Sequence, residues 1–230
     1  MQLFRSILSR RMLALILCAV LISVNAFTSV KVFAKVCTNQ PAFRCTANKQ
    51  AEADQAHNND LAITAKAAVL IDNASGRILY AKNKDKKLIP ASITKIMTLL
   101  LIFESIEQGK CKLEDKVTVS EYAASMGGSQ VFLEPGETQD VNTMIKCISI
   151  ASANDAAVAM AEHLAGSEQS FVKRMNKKAK ALGMKHTHFK NCNGLDDSIE
   201  SGHYSSAYDV ALMSQSLVSK YPDISKYSTV

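Results

Sequence analysis

The residues best placed for chemistry are a serine and a lysine three positions apart, Ser92 and Lys95, in Pro90-Ala91-Ser92-Ile93-Thr94-Lys95. A serine hydroxyl is a weak nucleophile until a base removes its proton, and a lysine kept from water loses its charge and becomes such a base. Residues three apart share one face of a helix, so the two side chains lie together. Pro90 breaks the preceding segment, and the apolar run from Ile96 to Phe103 predicts a buried helix behind the pair. Ser92 then falls near a helix N-terminus, where free backbone N–H groups favour developing negative charge. Short Ser/Lys spacings are common, and a lone pair reads equally well as a helix-start serine beside a solvated lysine.

Sixty residues beyond Ser92, Ser149-Ile150-Ala151-Ser152-Ala153-Asn154-Asp155 sets a Ser-x-Asn between two apolar helical runs, Met144 to Ile150 and Ala156 to Leu164. Taken singly, Ser152 and Asn154 are a cap and a turn. Together with Ser92 and Lys95 they match the S-x-x-K and S-x-N pair of penicillin-binding proteins and class A β-lactamases, with S-A-N in place of S-D-N. The wording P-A-S-I-T-K-I-M-T and I-A-S-A-N-D-A-A-V-A-M-A resembles the D-alanyl-D-alanine carboxypeptidases, the low-molecular-mass penicillin-binding proteins, from about Ala67 onward.

The resemblance implies an exported serine-type enzyme that removes the terminal D-alanine from peptidoglycan stem peptides ending in D-Ala-D-Ala. Ser92 would attack the carbonyl between the two D-alanines while Lys95 takes its proton, and the Ser92 N–H would support the oxyanion. Ser152 would relay a proton to the leaving amine, and Asn154 would hydrogen-bond the substrate amide. Ser129, in Gly127-Gly128-Ser129, would line the groove, although a serine beside a flexible glycine pair reads equally as a loop. β-Lactam antibiotics are the covalent inhibitors implied, and neither a metal nor an organic cofactor is. Two rivals stay open. One is a class A-like β-lactamase, against which stands the lack of any glutamate with asparagine four residues on. The other is a non-catalytic cell-wall binding fragment.

The elements that must position these groups are predicted as follows. Residues 1–34 read as an export signal: Arg5, Arg10 and Arg11 precede an uncharged apolar core, Met12 to Val24, with small residues at Ala26 and Ala34. Residues 35–66 are polar and are expected to form a flexible leader, with Cys37 and Cys45 able to close a small loop after export. Residues 67–230 form the catalytic domain. Ala67 to Asp72 and Gly76 to Tyr80 predict a β-hairpin that feeds the Ser92 helix. Helices are predicted over Val141 to Ile150, Ala156 to Leu164, Ser170 to Leu182 and from Ser206 to Leu217. Lys173, Lys177, Lys178 and Lys180 are read as a solvated face, and His203 and Asp209 as structural.

The fold class is therefore α+β, of the serine penicillin-recognising type. No K-T-G follows Ser152, so the domain is expected to be truncated before the closing strands of its sheet, and the stretch as written is expected to be inactive. The formal charge of +6 falls to +3 once the three leader arginines are removed, and the remaining charges are mixed in sign. Charge therefore implies no nucleic-acid partner. There is no C-x-x-C; His186-x-His188 with Cys192 imitates a metal corner but reads as a loop. Membrane association is expected only through parts beyond residue 230, if at all.

Overall fold

A computed structural model describes residues 63–195 and 201–228. The proposed signal, most of the leader, Cys37 and Cys45 lie outside these residues. Strands β1 (Ala68–Ile71) and β2 (Ile78–Lys82) pair antiparallel, with a register irregularity between Leu70 and Ile71. Asp72 makes the turn: its Oδ1 accepts from the Ser75 N–H at 2.8 Å and its carbonyl from the Gly76 N–H at 2.8 Å. Residues 63–66, assigned to the leader by composition, are held by the end of this hairpin. The Lys82 ammonium donates to the Ile63 carbonyl and the Asn83 amide to the Lys66 carbonyl.

A 3₁₀ turn at Ala91–Thr94 leads into helix α1 (Lys95–Glu107). Ser92 thus sits on a tighter turn ahead of the α-helix, and Lys95 opens the α-helix itself. Nine α1 residues are buried, among them Met97 and Ile102 with no exposed surface. A helix apolar on nearly every side belongs in the middle of a domain. Accordingly α1 packs against α3 (Val141–Ile150), α4 (Asn154–Ala165), α5 (Glu168–Ala181) and α6 (Ala207–Lys220), while α6 also lies on β1. Asp140, Ser167 and Ser206 cap α3, α5 and α6 through their side-chain oxygens.

A second two-stranded sheet escaped the sequence reading. β3 (Lys116–Thr118) pairs antiparallel with β4 (Thr138–Asp140), and the short helix α2 (Glu121–Ala124) falls between them. The basic face of α5 also needs correction. Lys178 forms a half-buried ion pair with Glu104 at 2.5 Å, and Arg174 donates to the Leu164 carbonyl at 2.7 Å and to Ser105 Oγ at 3.2 Å. These groups fasten α5 to α1 and α4 instead of serving only as a solvated surface. No helix among the described residues is long and apolar enough to cross a membrane.

Candidate active site

Lys95 is 3 % exposed, whereas Ser92, one turn earlier, is open to solvent. The amine is dry and the hydroxyl is reachable. Lys95 Nζ lies 3.3 Å from Ser92 Oγ and donates to the Asn193 carbonyl at 2.9 Å. Burial pulls the Lys95 ammonium down to about 8. At neutral pH roughly one lysine in ten is then uncharged. In that state one N–H still serves Asn193 and the nitrogen lone pair faces the serine proton.

The loop that supplies Asn193 is itself held in place. Thr98 Oγ1, one turn below Lys95, donates to the Cys192 carbonyl at 2.5 Å, and the Cys192 N–H donates to Glu168 at 3.0 Å. Burial pushes the Cys192 thiol well above its ordinary value, so it stays neutral beside the lysine. Gly194 meets the Ser92 turn directly: a Cβ there would lie 1.8 Å from the Ala91 carbonyl oxygen.

The second motif sits where α3 gives way to α4. Ser152 adopts a left-handed φ of 54° between α3 and α4, and Asn154 begins α4. The Asn154 N–H donates to the Ser129 carbonyl at 2.7 Å and its Nδ2 to the Gly127 carbonyl at 2.7 Å. That orientation leaves Asn154 Oδ1 buried with no partner among the described residues. An unmade acceptor at a buried position is the kind of group a ligand N–H completes. The structure thus joins Ser92 to Lys95 and Ser129 to Asn154. It places no hydrogen bond between Ser152 and either Ser92 or Lys95.

Asp155, which the sequence reading left unassigned, organises the wall next to Asn154. Fully buried, its carboxylate accepts from the N–H groups of Val131 (3.1 Å), Leu133 (3.1 Å) and Ala156 (2.9 Å). Between the first two, Phe132 is held at φ 59° with 78 % of its surface exposed. His203 and Asp209 are not partners of each other. His203 Nδ1 accepts from the Lys190 N–H, which leaves its other ring N–H to face Thr94 Oγ1 at 2.9 Å. Asp209 accepts from the His186 N–H and from Thr187. Both act as structural supports, as their sequence context predicts, although His203 buttresses the turn between Ser92 and Lys95. A separate cavity of about 340 Å³, lined by Tyr122, Glu162, Glu168 and Lys190 among others, includes neither Ser92 nor Lys95.

Residues 50–230 match the D-alanyl-D-alanine carboxypeptidase family. The chain is 57% identical over 178 residues to the D-alanyl-D-alanine carboxypeptidase DacF of Bacillus subtilis, covering 77% of this chain and 45% of that protein. It is similar in structure to the D-alanyl-D-alanine carboxypeptidase DacD of Francisella tularensis, at a TM-score of 0.69 and 36% identity over 72% of this chain and 40% of the other. Penicillin-binding protein 5 of Haemophilus influenzae gives a TM-score of 0.67 at 38% identity, over 72% of this chain and 48% of the other. The chain thus spans less than half the length of these relatives.

Proposed function

The chain belongs to the D-alanyl-D-alanine carboxypeptidase family and has its serine penicillin-recognising fold, and from that premise we propose that it forms the nucleophile-bearing part of a serine-type D-Ala-D-Ala carboxypeptidase. Its substrate is a peptidoglycan stem peptide. The observation that carries this reading is the dry Lys95 amine, lowered to about 8, facing an exposed Ser92 hydroxyl 3.3 Å away.

Neutral Lys95 takes the Ser92 proton as Oγ bonds to the carbonyl carbon between the two D-alanines. The carbonyl electron pair moves onto oxygen, where the Ser92 N–H supports it. Collapse of the tetrahedral adduct expels the D-alanine amine, which receives a proton relayed through Ser152. Water then cleaves the acyl–serine ester and regenerates Ser92. Asn154 Oδ1 accepts from the substrate amide N–H, and Ser129, exposed beside it, lines the groove. A β-lactam follows the first half of this path and stays attached because its ring-opened leaving group remains tethered.

Labelled penicillin is the direct probe, in a chain that carries a K-T-G strand. One adduct is expected, on the peptide containing Ser92, with slow release. Label on another residue refutes the assignment of the nucleophile, and rapid turnover of a chromogenic cephalosporin favours a β-lactamase. The arginine-led apolar leader further supports export and cleavage near Ala26 or Ala34. N-terminal sequencing of protein from the cell envelope is expected to begin at one of the following residues; an intact Met1 on a cytoplasmic protein contradicts export.

A further inference from the structure

Away from the serine, three metal-ligating side chains of different kinds meet: Cys111, Asp115 and His163, each with a ligand atom within 4.8 Å of the other two. Cys111 and Asp115 lie in the loop joining α1 to β3, and His163 is in the last turn of α4. Asp115 and His163 stand 48 positions apart (163 − 115), so the fold and not the local sequence assembles the group. Their burial is graded: Cys111 is buried, Asp115 half-buried and His163 exposed. This makes a small site with a closed floor and an open mouth.

Existing contacts leave the ligand atoms available. The Cys111 thiol makes only a 3.7 Å contact to the Lys112 carbonyl. Asp115 uses Oδ2 to accept from the Lys112 N–H at 2.8 Å, leaving Oδ1 uncommitted. No hydrogen bond engages the His163 ring among the described residues. A nucleophilic role for the thiol is unattractive, because Cys111 is 1 % exposed and no substrate carbonyl reaches it.

The geometry points to Cys111, Asp115 and His163 as a structural site for a zinc-type divalent cation, with water as the fourth ligand on the exposed side. Thiolate and imidazole donors select Zn²⁺ over calcium or magnesium, which require oxygen ligands. Thiolate and carboxylate together balance the two charges of the ion. Ligands at about 2.0–2.3 Å from a tetrahedral centre stand about 3.3–3.8 Å apart. The group therefore contracts by no more than about 1.5 Å on binding, a movement within reach of rotation of the exposed His163 ring. The C-terminal end of α4 carries the negative end of the helix dipole and adds further attraction. Burial first, then Asp115, hold the Cys111 thiol above its ordinary value, so the ion displaces a proton and affinity rises with pH. The ion would tie the loop after α1 to the end of α4. These are the two helices whose opposite ends present Lys95 and Asn154.

The test is titration of chelator-stripped protein with Co²⁺. One equivalent is expected to give a near-ultraviolet thiolate-to-cobalt charge-transfer band and the intense visible bands of a tetrahedral ion, both erased by Zn²⁺. Cys111→Ser is expected to lose the charge-transfer band, and His163→Ala to weaken binding at least tenfold. Cys147→Ser, which leaves the trio intact, is expected to titrate like the parent. His163 lies on the surface, so His163→Ala keeps its fold and decides the matter if Cys111→Ser does not. No tetrahedral spectrum at one equivalent, or an undiminished spectrum in His163→Ala, overturns the site.

Discussion

In a chain that carries a K-T-G strand, replacing Lys95 with methionine is expected to lower the rate of Ser92 acylation by penicillin at least about a thousandfold and to leave the fold intact. A general base is worth about 10²–10⁴ in rate, and losing the base that activates a serine sits at the upper end of that range. Methionine has nearly the length of lysine and suits a slot only 3 % exposed. It relieves the cost of burying an ammonium, roughly 1–3 kcal/mol after allowing for solvent near the open serine. It also leaves the Asn193 carbonyl unpaired, at a similar cost of about 1–3 kcal/mol. The two offset, so melting at pH 7 changes little.

The pH dependence separates the contributions. Lys95 acts when deprotonated, so the parent rate is expected to climb about tenfold per pH unit on the acid side and level off above a midpoint near 8. Its folded-state value lies below the ordinary 10.5, so the unfolded chain binds more protons between about pH 8 and 10.5. Stability therefore rises with pH through that window, and the burial cost is present in full below it. Stopped-flow acylation and melting curves across pH 6 to 10 measure both. A methionine variant that keeps a pH-dependent acylation limb would show that another group is the base.

Gly194→Ala is expected to be nearly as damaging, although residue 194 takes no part in proton transfer. The added Cβ would lie 1.8 Å from the Ala91 carbonyl oxygen and 3.0 Å from the Ser92 nitrogen, and both neighbours are backbone. Neither can rotate away, so the loop retreats or the nucleophile's turn shifts. A displacement of about 1 Å costs on the order of 10² in rate. Retreat of the loop also draws the Asn193 carbonyl from Lys95. The φ of +86° adds strain of about 1–2 kcal/mol for any residue with a side chain. Gly183→Ala is the control: its φ is +76° but a Cβ there meets nothing within 4 Å. In the same K-T-G-bearing chain, acylation is expected to fall about a hundredfold or more in Gly194→Ala and to hold in Gly183→Ala. Equal loss in both would mean that backbone strain, and not the close approach to Ala91, is responsible.

What the sequence made legible was whatever repeats locally or matches a short motif. The apolar run after Lys95 predicts α1, and the helix expected from Ser206 is α6, which Ser206 caps while the Asp209 carboxylate turns to His186 and Thr187. The three-residue spacing pairs Ser92 with Lys95, as found. Long-range contacts leave no such trace. Nothing in Asn191-Cys192-Asn193-Gly194 announces a carbonyl aimed at a lysine 98 residues away. β3 and β4 are three residues each, too short for a clear alternation, and they pair across an intervening helix. Asp155 follows the motif asparagine but reads as one more polar residue at a helix start. Only the fold shows it buried and holding two loop amides.

The clamp on Lys95 also orders events during synthesis. A chain emerging from its N-terminus exposes Ser92 and Lys95 first, and Asn193 and Gly194 follow about a hundred residues later, roughly 5–20 s at ordinary elongation rates. In that interval the lysine has no Cys192–Asn193 loop above it, keeps its water and carries its proton. The serine beside it is then an ordinary alcohol. The lowered lysine is thus a property of the assembled domain and not of the Ser-x-x-Lys segment, and it arises only when the Cys192–Asn193 loop closes over Lys95.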